Sequence, residues 1–125
     1  MSEKTFGAFL TEKRLERDMT LRGFAGKLGI SPVYMCNIEK DRRAAPTEDV
    51  LEKMAALLML NKVEKEQMLD LAAKSKTVPA VALDLPEYIN GNDIIRTALR
   101  TAKDVGATDD EWLEFIERLN KRVKT

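Results

Sequence analysis

Residues 20–43 read TLRGFAGKLGISPVYMCNIEKDRR, and this stretch decides the fold. Thr20 is a side-chain N-cap for a helix over Leu21–Leu28, whose Phe24, Ala25 and Leu28 share one face. Gly29 stands just past that helix, where a left-handed backbone reverses the chain and glycine adopts it without a Cβ penalty. Ser31-Pro32 is a second start signal: a hydroxyl cap, then proline at the first helical position, where no N–H is needed. A helix is predicted from Pro32 to Lys40. Two short helices thus meet across Gly29-Ile30-Ser31, and Ala25 is small enough to let them approach. Ile30, Met35 and Ile38 bury the inner face of the second one. Its other face carries Val33, Cys36, Asn37 and Lys40, at i, i+3, i+4 and i+7. That face is small and mixed, without a long aliphatic side chain, and can lie against base edges.

Working outward, helical patterning covers nearly the whole chain. Thr5 to Arg17 gives a mostly amphipathic helix with Phe6, Phe9, Leu10, Lys13 and Leu15 on its packing side, ended by Asp18-Met19. Asp41 to Pro46 is a loop, and Thr47 caps a helix over Glu48–Leu60 striped by Val50, Leu51, Met54, Leu57 and Leu58. Asn61 and Glu64 stand at capping-box spacing before a fifth helix over Val63–Ala73. Met54, Met59 and Met68 read as core filler. Residues 74–86, with Pro79 and Pro86, read as a connector lying on the first domain. Two more helices follow. Asp93–Val105 is capped by Asn92, with Ile94, Ile95, Ala98, Leu99 and Ala102 inward. Asp109–Val123 is capped by Thr108, with Trp112, Leu113, Phe115, Ile116 and Leu119 on its apolar face. Asp109, Asp110 and Glu111 suit the positive start of that last helix, and Lys121, Arg122 and Lys124 its negative end. The expected architecture is all-α: a five-helix domain over 1–73, a linker over 74–86 and a C-terminal helical pair over 87–125.

Composition narrows the chemistry. The chain has 125 residues, no histidine and one cysteine, Cys36. The commonest general base and metal ligand is therefore missing, and no internal disulfide can form. No Gly-rich phosphate loop or GxSxG elbow occurs. These absences point away from an enzyme, a metal site or any cofactor. No secretory signal or membrane span is read, since the longest apolar run, Met54–Leu60, is far too short. A cytoplasmic protein is expected. Lysine plus arginine equals aspartate plus glutamate, 21 each, so nucleic-acid binding is not advertised by net charge. Residues 1–60 hold 10 basic and 9 acidic side chains, and residues 86–125 hold 7 and 8. A local patch must carry any such binding, and Lys40, Arg42 and Arg43 supply one.

The stretch LRGFAGKLGISPVYMCNIEKDRR resembles the helix-turn-helix of the lambda-repressor/Cro-like, or XRE, family of regulators. Thr20-Leu21-Arg22, Phe24-Ala25, Leu28 to Ser31, Tyr34, Ile38-Glu39 and Arg42-Arg43 carry the resemblance, which extends over Phe6–Leu60. It implies a lambda-repressor-like fold for the first domain and double-stranded DNA as partner. It implies base contacts from Val33, Cys36 and Asn37, and phosphate contacts from Arg22, Ser31 and Tyr34. Arg42 and Arg43 would flank the groove, and Lys40 adds charge beside it. Asn37 can pair in bidentate fashion with adenine, and Val33 can meet a thymine methyl. The sequence departs from the family at Gly23 and Gly26, where longer polar residues are usual, and in having no arginine or glutamine on the reading face. Base readout is accordingly thin, with DNA shape contributing.

Each sharp reading has a bland counterpart. Arg42 and Arg43 could be a solvated loop, Tyr34 a cover for the helix junction, and Cys36 a redox switch only if an activating cluster stood beside it. Glu39 is expected to form a structural ion pair with a basic residue of the first helices. The apolar face around Trp112 either packs on Ile94, Ile95 and Leu99 or forms a homodimer interface. The reading adopted is a sequence-specific regulator, a dimeric repressor acting by operator occlusion. The alternative is an antitoxin-like chain whose C-terminal helices grip a partner protein and whose DNA binding is autoregulatory.

Overall fold

The computed structural model describes residues 4–78 and 80–123. Pro79 and Lys124, both used in the sequence reading, lie outside the described residues. The described chain is all-α, with no strand: α1 (Phe6–Glu16), α2 (Leu21–Leu28), α3 (Pro32–Glu39), α4 (Glu48–Leu57), α5 (Lys62–Lys74), α6 (Pro86–Asn90), α7 (Asp93–Val105) and α8 (Asp109–Val123). It divides into two compact units, one ending at Pro86 and one beginning at Glu87.

Local chemistry sets the helix ends. Ala8 N donates to Thr5 Oγ1 (3.1 Å), Gly23 N to Thr20 Oγ1 (3.0 Å) and Tyr34 N to Ser31 Oγ (3.1 Å), so each hydroxyl satisfies one orphan amide of the first turn. Asn61 forms the full capping box: Glu64 N donates to Asn61 Oδ1 at 2.8 Å, and Asn61 N donates back to Glu64 Oε1 at 3.0 Å. Thr47 starts α4 without a side-chain cap bond. At the other ends, the described residues with positive φ are Asp18, Gly29, Asp41, Met59 and Gly106, and each follows a helix. At Gly29 the pattern is a paired closure: Gly29 N donates to Gly26 O and Ile30 N to Ala25 O.

In the first unit α1 packs on α3 and α5, and α2 packs on α3 and α4. Phe9, Leu10, Phe24, Met35, Ile38, Leu51, Met54, Leu58 and Met68 are fully buried there. Each such burial stabilises by about 1.5–3 kcal/mol. The stretch read as a connector is held by this unit: Ala82 is buried with its core, and Ala45 N donates to Ser75 Oγ at 2.9 Å.

Several expectations need correction. Leu15 is exposed rather than packed, and its place in the inward face of α1 goes to Arg14. The α4 helix stops at Leu57, because Met59 takes a left-handed conformation and turns its side chain into solvent, 69% exposed. It is not core filler, whereas Met54 and Met68 are. The short helix α6 was not expected. In the second unit α7 and α8 have the expected bounds, but no described residue is buried. Ile94, expected inward, is 77% exposed, and Leu99, Trp112, Leu113, Phe115, Ile116 and Leu119 are also exposed. A unit this small offers too little interior to enclose side chains of that size.

Candidate nucleic-acid interface

The third helix is held from behind by one ion pair. Arg14 of α1 forks onto Glu39, with Nε donating to Oε2 at 2.8 Å and Nη2 to Oε1 at 3.0 Å. Thr11 Oγ1 also donates to Glu39 Oε1 (2.9 Å), and Arg14 Nη1 donates to Met19 O (2.9 Å). Both side chains are close to buried, so the bidentate geometry and extra bonds offset their desolvation. The hydrogen bond to Glu39 raises the Arg14 pKa, against the opposing effect of burial. This is the structural role expected for Glu39, now with its partner identified.

A close backbone approach sets the same contact. A Cβ on Gly7 would stand 2.3 Å from Glu39 O and 2.6 Å from Ile38 O. Only glycine lets α1 lie this tightly against the end of α3. Asp41, in left-handed conformation just past α3, completes the clamp. Its carboxylate accepts from Gly7 N (2.9 Å) and Thr5 Oγ1 (2.6 Å). Gly7, Arg14 and Asp41 were all missed as positioning residues. Their spacing along the chain is no signal, because the three meet only when α1 crosses α3.

With Met35 and Ile38 buried, the opposite face of α3 is presented to solvent. Val33 is 72% exposed, Lys40 is exposed, and Cys36 and Asn37 are half-buried. Cys36, placed on the same outward face by its spacing, is thus only partly accessible. The Asn37 amide makes no hydrogen bond among the described residues, while Asn37 O accepts from Arg42 N (2.9 Å) and Arg43 N (3.3 Å). The end of α3 thus directs the backbone of both arginines. The Arg43 guanidinium lies over the Tyr34 ring, 5.9 Å from its centroid, so Tyr34 is half-buried under a cation and steers it. Ser31 accepts the cap bond from Tyr34 N and keeps its own proton for a further acceptor. Arg22, in the first turn of α2, and Arg42 are exposed. Gly23 and Gly26 on α2 are exposed as well, so no side chain rises between Arg22 and Lys27 on that stretch except the buried pair Phe24 and Ala25.

What this arrangement can do follows from its chemistry. It presents one neutral amide with donor and acceptor atoms, one branched apolar side chain, and cations on the turn beyond. Among the described residues no group of three or more His, Cys, Asp or Glu side chains could hold a metal ion. No helix among them is long and apolar enough to cross a membrane.

Residues 5–68, just over half of the chain, match the helix-turn-helix domain family. The chain belongs to that family, and the matched residues include α1 to α4 with the Gly29 turn. A solved structure of the SinR protein/SinI protein complex is similar to it, with 20% identity, covering 97% of this chain and 100% of that one, at a TM-score of 0.49. That likeness is too distant for a function to pass from one to the other. None of the curated proteins compared with the sequence matches it.

Proposed function

We propose that this chain is a sequence-specific regulator of transcription that inserts α3 into the major groove of double-stranded DNA. The observation that carries the reading is the two-sided character of α3. One side is locked by Met35, Ile38 and the Arg14–Glu39 pair, and the other offers Val33, Asn37 and Lys40 to solvent. Asn37 and Val33 are the base-reading side chains, with Cys36 beside them. Arg22, Ser31, Tyr34, Lys40, Arg42 and Arg43 are assigned to the phosphate backbone, where contacts set register and affinity but not sequence. The finer reading is a dimeric repressor that covers its operator. A two-fold dimer reads half-sites about 34 Å apart. The exposed apolar residues of α7 and α8 support a second surface on the chain, assigned here to the second copy. Binding of a different protein there, with autoregulatory DNA binding, is the second reading supported by the same exposed face.

The deciding experiment is fluorescence anisotropy with DNA from upstream of the chain's own gene, against scrambled DNA, over a range of salt. Binding is expected to fall steeply with salt. Arg43→Ala should weaken binding to every sequence and lower the salt slope by about 1. Asn37→Ala should lose about 1–3 kcal/mol of discrimination at one base pair and leave the salt slope unchanged. Weak, sequence-blind binding that neither variant changes sinks the proposal.

A further inference from the structure

A cavity of about 460 Å³ opens in the first unit between the start of α1, the loop after α3 and the end of α5. Its volume falls among small-molecule sites, which span roughly 300–1,000 Å³. Half-buried Leu71 gives it an apolar wall, with the buried Phe6 beneath it. Lys4, Arg42, Arg43 and Lys74 bring four cationic side chains to its lining, against one carboxylate, that of Asp41. That carboxylate is already engaged on both oxygens, by Thr5 Oγ1 and by Gly7 N. Lys4 is paired with Glu12, an exposed pair of the kind that exchanges partners at little cost. In a chain whose charges cancel, 21 against 21, this cavity gathers cations around an apolar wall. Among these cations Lys74 already makes an interaction of its own, and the Arg43 guanidinium also lies over the Tyr34 ring.

We infer that this cavity binds a small organic phosphate, its dianionic group held by Arg42 and Arg43 and its apolar or aromatic part laid against Leu71. A phosphate monoester carries about −1.5 to −2 charges at neutral pH, which matches several cations better than a single carboxylate does. Both arginines are also assigned above to DNA phosphates. Occupancy of the cavity therefore takes from DNA two of its cationic contacts, and the ligand acts as a releasing effector. This regulatory half rests on the DNA-binding reading; the ligand site does not.

Phenyl phosphate is the probe, titrated into the full chain without DNA and followed by calorimetry or amide chemical shifts. One saturable site per chain is expected, with affinity at least about tenfold above that of inorganic phosphate, because the ring adds apolar contact. Thr77→Glu sets a carboxylate in the lining, on an exposed residue outside the DNA-contacting set, and should weaken phenyl phosphate about tenfold or more. Arg42→Gln should do the same. Saturating phenyl phosphate should lower DNA affinity for the unmodified chain and leave the affinity of the Thr77→Glu chain unchanged, each measured against its own ligand-free value. Equal affinity for inorganic phosphate, or indifference to Thr77→Glu, overturns the site, since arginines on any surface hold anions that way. Absence of saturable binding overturns it outright. Ligand binding in a chain that ignores DNA leaves the site standing and removes the DNA reading instead.

Discussion

The two units use the same residue types at the same helical spacing and reach opposite results. In α1 to α5 the apolar faces close on one another around Phe9, Phe24, Met35 and Leu58. In α7 and α8 the apolar faces are at least as well segregated, yet Ile94, Leu99, Phe115, Ile116 and Leu119 all end exposed. Trp112 and Phe115 touch edge to face at 6.3 Å, and even so both rings keep solvent contact. Amphipathic spacing identifies which face wants cover, and says nothing of where the cover comes from. Five helices supply it internally. A unit of this size cannot, since below about 40 residues a chain generally needs oligomerisation, a metal or disulfides to bury a core.

The contrast can be broken most strongly at Glu39. Replacing it by alanine leaves Arg14 charged, nearly buried and unpaired, with an expected loss of about 3–5 kcal/mol. Denaturant unfolding followed by circular dichroism measures that loss. Trp112, the single tryptophan, lies in the second unit and reports on α8 in the same experiment. A tryptophan transition that shifts as far as the helical signal does would mean that the units unfold as one.

The proposed dimer sharpens the comparison from the other side. Ile116→Glu removes an apolar side chain that the chain itself does not bury. It should leave monomer stability within about 0.5 kcal/mol while halving the mass seen by sedimentation. A mass that is the same before and after the substitution counts against α8 as the interface.

Gly7→Ala tests the close approach of α1 to α3. The new methyl meets backbone carbonyls of Ile38 and Glu39, which cannot move aside as a flexible side chain would. An expected loss of about 1–3 kcal/mol, with DNA affinity falling further than stability alone explains, would follow from displacing α3. Gly26→Ala is the matched control, because a Cβ there meets nothing and the helix gains propensity, up to about 1 kcal/mol.

The smallest expected effect is a dependence on pH. Lys13 Nζ lies 2.8 Å from Glu64 Oε2, linking α1 to α5. The bond to Lys13 is the main cause that lowers the Glu64 pKa below its ordinary 4.5, helped by the bond from Asn61 N. The same bond raises the Lys13 pKa above its ordinary 10.5. A carboxylate with a depressed folded-state pKa contributes stability above its unfolded value and loses it as pH falls through the folded one. A lysine with a raised pKa contributes below its unfolded value and loses it as pH rises through the folded one. The pair should therefore support the first unit between these limits. Glu64→Gln keeps an acceptor for the Asn61 cap but not the charge. Its melting temperature should trail the parent by a constant margin near neutrality and converge with it in acid. A margin that persists in acid would assign the effect to the cap.

Much of the first unit was legible because its signals are local. Thr20, Ser31-Pro32, Gly29 and the Asn61–Glu64 box each act within a few residues, so their chemistry stands in the order of the letters. Left-handed Asp18, Asp41 and Met59 do not announce themselves as glycine does, and the end of α4 was misplaced for that reason. Among the expected interface residues, Val33, Asn37, Arg42 and Arg43 were named from spacing and from the family resemblance. The contact of Arg43 with Tyr34 could not be, since it depends on the turn of the chain after Lys40.

By itself, then, the order of residues determined most of the helices and their caps, the helix-turn-helix and the face of α3 that is not apolar. Those are properties of neighbours within one or two turns. Tertiary structure alone decided which polar groups are buried, that Gly7 and Asp41 clamp the end of α3, that Arg42 and Arg43 border a cavity, and that α7 and α8 leave their apolar faces partly uncovered. Each of these depends on which distant segments meet, and a backbone contact or an uncovered face has no letter of its own in the chain.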